Sequence, residues 1–121
     1  MKRLFAAMLL IMPMTSMADY VDVIEVKLKD GCTFSNYVAI AKDFNVWGKA
    51  NGYTAEILMP LQRSSLDTVF WVGRTANAAA FGKAWDSWRD ALSNPDSAPA
   101  KLWARFGACS TNLNRTGYDV Y

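Results

Sequence analysis

From Val21 to Asp30 apolar and polar residues alternate, with Ile24, Val26 and Leu28 on one side and Glu25, Lys27 and Lys29 on the other. A period of two marks a strand with one buried face, and Asp30-Gly31 is the turn signal that ends it. The period then changes. From Phe34 to Ala50 the residues Phe34, Tyr37, Val38, Ala41, Phe44 and Gly48 share one side of a helix, with Ile40 and Trp47 on its shoulder. Lys42, Asp43 and Lys49 point away, and Asn51-Gly52 supplies a left-handed stop. Ala41 and Gly48 sit near the middle of that stripe, where small side chains admit a sheet closely or leave a hollow for a ligand. Close packing is the simpler outcome.

Tyr53 to Leu61 predicts a second strand, stopped or bent at Pro60, followed by a polar connection containing Ser64-Ser65. Thr68 to Arg74 is β-branched and aromatic on both faces, which predicts a central strand covered on both sides. Asn77 caps a helix over Ala78–Leu92 whose stripe is Ala78, Phe81, Trp85, Trp88 and Leu92, and Asn94-Pro95 closes it. Ser97-Ala98-Pro99 opens a short helical turn reaching Phe106, with Leu102 and Phe106 inward. The extended but polar tail from Ala108 to Tyr121 fits a last strand at a sheet edge.

The first eighteen residues stand apart from this pattern. Lys2 and Arg3, the apolar run Leu4–Met14 and the small residues of Ser16-Met17-Ala18 have the form of a secretory signal peptide cleaved after Ala18. The expected mature domain is then 19–121, periplasmic or secreted. Removing Lys2 and Arg3 brings the 13 Lys and Arg of the whole chain level with its 11 Asp and Glu. A neutral mature chain lacks the basic excess of a nucleic-acid binder. Nothing after the leader is long and apolar enough to span a membrane. Histidine is absent, which removes Ser-His-Asp and Cys-His triads and the commonest metal and haem ligand. No metal site and no cofactor is expected. Glu25 and Glu56 form no recognisable glycosidase pair, and Asp43, Asp67 and Asp90 have the setting of solvated residues.

Cys32 and Cys109 are the only thiols. In an oxidising compartment an intramolecular disulfide is the leading expectation, ahead of free thiols or a link between chains. Their separation is far from C-x-x-C spacing, so the bridge is structural.

The element order β-α-β-β-α-(short α)-β is the ferredoxin-like plan, an α+β fold with a four-stranded antiparallel sheet in the order 4-1-3-2 and two main helices on one face. That topology sets the end of strand one beside the start of strand four, which brings Cys32 and Cys109 together. Helices of these lengths, an aromatic third strand and a short third helix resemble the dimeric α/β-barrel superfamily across nearly the whole mature chain. The resemblance implies a homodimer with two sheets face to face and a ligand between sheet and helices. Its monooxygenase branches commonly use an Asn in strand one, a Trp in strand three and a His on the second helix. Here only Trp71 answers to that set.

The aromatic load suggests where chemistry could lie. Phe44, Trp47, Trp85 and Trp88, with Tyr37 and Tyr53 as polar handles, either fill the core or line a cleft for a small apolar ligand. Asn45 and Arg89 lie at the edges of the two helical stripes. Arg89 could pair with Asp86, cover Trp85 or receive a ligand carboxylate, and Asn45 could orient a carbonyl or be solvated. Two functions follow: an exported, disulfide-stapled binding or structural module, or a cofactor-independent monooxygenase or isomerase relying on Trp71, Asn45 and Arg89.

Overall fold

The structure is a computed structural model that describes residues 19–62 and 67–121. The expected leader over 1–18 and Ser64-Ser65 lie outside the described residues. The elements are β1 (Asp19–Leu28), α1 (Phe34–Ala50), β2 (Thr54–Leu58), β3 (Thr68–Thr75), α2 (Ala78–Leu92), α3 (Ala98–Cys109) and β4 (Ser110–Val120). The sheet runs β2-β3-β1-β4, every pair antiparallel. This is the ferredoxin-like order expected from the chain.

Each helix begins on a side chain that occupies its free amides. Thr33 accepts from the Asn36 amide, Asn77 from Ala80 and Ser97 from Ala100. At the end of α1 the Asn51 amide donates to Gly48, and Gly52 takes a φ of 71°. α3 is three turns long, more than the short turn expected, because Ser97 and Pro99 start it well and its inner face has Leu102 and Phe106 to bury. β1 starts and ends two residues earlier than the alternation alone suggested, since Asp19 and Tyr20 pair with Val120 and Asp119 of β4. β2 is shorter than expected and ends before Met59-Pro60.

Both main helices lie on one face of the sheet, the one carrying Ile24, Val26 and Leu28 of β1 and Val69 and Trp71 of β3. Val26 and Val69 are fully buried at its centre. β3 is central, as its apolar character required, but among the described residues no helix covers its second face. Cys32 and Cys109 form a disulfide with their α-carbons 5.1 Å apart, tying the β1–α1 turn to the end of α3. The Lys29 amide donates to the Cys109 carbonyl beside it.

Candidate functional site

A cavity of about 140 Å³ lies between the helices and the sheet. α1 contributes Tyr37, Phe44 and Trp47, α2 contributes Phe81, Trp85 and Trp88, and α3 contributes Trp103 and Phe106. The floor is Ile24 and Trp71, and one side is the polar row Ser110, Asn112 and Arg115 of β4. Trp103, more than half exposed, stands at the rim. The six aromatic residues singled out in the sequence therefore all border one hollow, together with Trp71.

The rings meet mostly edge to face or tilted. Phe44 is the hub, with ring centroids 4.8 Å from Trp71 and 5.4 Å from both Tyr53 and Trp88. Trp47 and Trp88 meet at 5.1 Å and 72°. Such geometry adds to area burial and fixes each ring against its neighbours.

One wall holds a polar cluster. Asp22 of β1 is 1% exposed, and Arg115 grips it with two hydrogen bonds, Nε to Oδ1 at 2.8 Å and Nη2 to Oδ2 at 2.7 Å. Tyr53 donates to the same carboxylate at 3.0 Å, and Trp71 Nε1 donates to the Tyr53 hydroxyl at 2.7 Å. The guanidinium also stacks over Trp85, 4.3 Å from its centroid, and reaches Phe81 at 5.6 Å. Burial opposes the Arg115 charge, but the hydrogen bonds and charge of Asp22 outweigh it and hold the guanidinium above its ordinary value. Burial first, and then the Asp22 charge, push the Tyr53 hydroxyl well above the ordinary phenol range, so it stays protonated and donates. Tyr37, shifted the same way by burial, has no hydrogen-bond partner for its hydroxyl among the described residues.

Two glycines make room for this cluster. Gly73 on β3 and Gly117 on β4 are the sheet partners of Asp22 on either side. A Cβ on Gly73 would strike the Tyr53 hydroxyl, and one on Gly117 would strike the Tyr20 hydroxyl. A bulge places Arg115. The β1–β4 register shifts between Glu25 and Val26, opposite Leu113, so that Arg115 faces Ile24 on the helix side.

Several candidates stand away from the cavity or are already engaged by other groups, and for Arg89 the pair with Asp86 was one of the expected alternatives. Arg89 pairs with Asp86 at 2.9 Å on the exposed side of α2 and does not border the cavity; Arg115 is the arginine that covers Trp85. Asn45 holds β2 to α1, donating to the Ala55 carbonyl and accepting from its amide, both at 2.8 Å. Both of its side-chain groups are thus engaged. Tyr53 is occupied by Asp22 and Trp71, which leaves Tyr37 as the free phenol. Asp22 and Arg115 were missed. Asp22 shares the parity of Ile24, Val26 and Leu28, and a carboxylate in a buried row was the available signal.

No protein-family model matches the chain, and neither does any curated protein sequence. Solved structures do. SnoaB, a cofactor-independent oxygenase from Streptomyces nogalater, aligns over 86% of this chain and 94% of its own with a TM-score of 0.57 at 11% identity. A conserved Bacteroides thetaiotaomicron protein of unknown function, described as a possible oxidoreductase, aligns over 84% and 97% with a TM-score of 0.55 at 9% identity. The hydroxynitrile lyase of Passiflora edulis aligns over 86% and 94% with a TM-score of 0.53 at 17% identity. The likeness is one of fold. It agrees with the ferredoxin-like fold expected from the element order.

Proposed function

We propose that the protein is an exported, disulfide-stapled homodimer that binds a small, largely apolar molecule in the cavity between its helices and sheet. The observation that carries this reading is the hollow itself: aromatic on three sides, bordered by one ionic side chain, and about 140 Å³ in volume. A hollow that size lined by apolar groups is costly to keep empty when the surrounding rings could collapse into it. The leader pattern of Met1–Ala18 and the disulfide both favour an oxidising compartment.

The second copy is argued from the sheet face turned away from the helices. Val21 and Val23 of β1 lie beside Val72 of β3, and Leu58, Tyr118 and Val120 on the outer strands stay about half exposed. Val21 and Val72 are already buried within the chain, and a partner sheet would cover the exposed members Leu58, Tyr118 and Val120. Glu56 pairs with Arg74 and Lys27 with Asp67 around it, so the flanking charges are already compensated. Native mass spectrometry of the exported protein tests all three parts. The expected result is a dimer of chains beginning at Asp19, with a co-purified small-molecule mass. A monomer with no saturable quenching of its tryptophans by single-ring aromatics would reject the reading.

A second reading, a cofactor-independent oxygenase or lyase, has one specific support. The chain Trp71–Tyr53–Asp22 forms a buried proton-holding network next to the cavity, on a fold that SnoaB and the Passiflora lyase share. Oxygen uptake with an aromatic dihydroxy substrate, abolished by Trp71→Phe, would favour it over simple binding.

A further inference from the structure

We propose that the cavity selects an uncharged single-ring aromatic molecule whose oxygen accepts a hydrogen bond from Arg115, and that Asp22 sets this preference by cancelling the guanidinium charge. The inference rests on the cavity being the ligand site.

The hollow has room for one ring. An apolar cavity of about 150 Å³ takes up benzene, and this one measures about 140 Å³. Phe44, Trp47 and Trp88 present edges and faces suited to a planar guest.

Charge limits it further. Among the described residues Arg115 is the one ionic residue on the cavity wall, and its bidentate contact with the buried Asp22 cancels its charge. A ligand carboxylate placed against Arg115 would become a second anion beside the buried Asp22 carboxylate, sharing one guanidinium charge that Asp22 already cancels. A neutral ligand meets no such penalty.

Hydrogen bonding defines the remaining atom. Arginine has five N–H donors and no acceptor. Nε and Nη2 are directed at Asp22, while Nη1 makes no hydrogen bond among the described residues. Whatever sits against Nη1 must accept. A carbonyl, ether or hydroxyl oxygen on an aromatic ring fits; a bare hydrocarbon leaves the donor unused. The Tyr37 hydroxyl, unpartnered among the described residues in a side chain only 2% exposed, is a further neutral polar group bordering the same cavity from α1.

The test is a tryptophan-quenching titration of the full oxidised protein with ethylbenzene, acetophenone and benzoate, which share one ring and differ in the polar group. Acetophenone should bind roughly fivefold more tightly than ethylbenzene and more than about tenfold more tightly than benzoate. Asp22→Asn frees the guanidinium charge, so benzoate should gain roughly tenfold or more and overtake acetophenone. The double variant Asp22→Asn/Arg115→Gln is neutral again and should still reject benzoate. Benzoate binding as well as acetophenone to the unaltered protein overturns the inference, and so does an Asp22→Asn variant that folds without gaining benzoate. Should that variant fail to fold, the ranking in the unaltered protein decides. Saturable ethylbenzene binding with no preference among the three would keep the ligand site and remove the neutral-oxygen selectivity. No binding of any probe would remove the ligand site as well.

Discussion

The two main helices sit on the same sheet face and do different work there. α1 buries Tyr37, Ile40, Ala41, Phe44 and Gly48, and at Gly48 a Cβ would meet the Tyr53 carbonyl at 2.6 Å. α2 buries only Ala84 and Trp88, and its Phe81 and Trp85 stay partly exposed over the hollow. The difference lies in where small side chains fall. Ala41 and Gly48 let α1 close on the sheet while its rings Tyr37, Phe44 and Trp47 reach the hollow from one side, and Phe81 and Trp85 of α2 cover the hollow beside the polar row of β4. One half of the layer holds the fold together, and the other half makes space. The disulfide ties down that second half, since it fixes the end of α3 just before β4.

If this division is right, substitutions should separate along it. Replacing both cysteines by serine opens a loop of 77 residues and should lower stability by about 4 kcal/mol in urea denaturation. Hydrogen exchange should rise first in α3 and β4. At the buried hub of the rings Phe44→Ala should cost about 3–5 kcal/mol, whereas Trp85→Ala, partly exposed, should cost about 1–2 kcal/mol and weaken quenching by aromatic probes. Equal costs would erase the distinction between the halves. Replacing Arg115 by Ala leaves the buried Asp22 carboxylate without its ion-pair partner, a loss of about 3 kcal/mol in urea denaturation. Retained stability would show that this ion pair does not hold β4 to the sheet.

Alkaline titration sharpens the same contrast. Tyr37 and Tyr53 both have hydroxyls raised by burial from the ordinary value of 10.0. Above pH 10 the unfolded chain releases these protons while the folded protein keeps them, so unfolding is favoured as pH rises. Stability should be flat below that point and then fall by up to about 2.7 kcal/mol per pH unit from this pair. The smallest effect belongs to Arg89→Ala, which removes an exposed pair worth under about 0.5 kcal/mol and should leave probe binding unchanged.

The periodicities of 2 and 3.6, the caps and the turn residues determined by themselves which segments are strands and helices. α1 from Phe34 to Ala50 and α2 from Ala78 to Leu92 begin and end where the pattern places them. Topology then brought Cys32 to Cys109, because strands one and four are neighbours in this plan. The aromatic positions were legible as one group for the same reason. They lie on the inner stripes of two helices that must share a sheet.

Only the tertiary structure decided which polar residues join them. Arg89 and Asn45 sit at stripe edges, where a rotation of a few tens of degrees separates cavity from solvent, and neighbouring side chains set that rotation. Arg115 depends on a single inserted residue in β4. In a regular ladder Asn114 would face the cavity and Thr116 would stand beside Asp22; with the bulge, Arg115 and Gly117 take those places. Strand parity propagates without decay, so one extra residue reassigns every side chain beyond it, and local sequence carries no mark of where that residue falls.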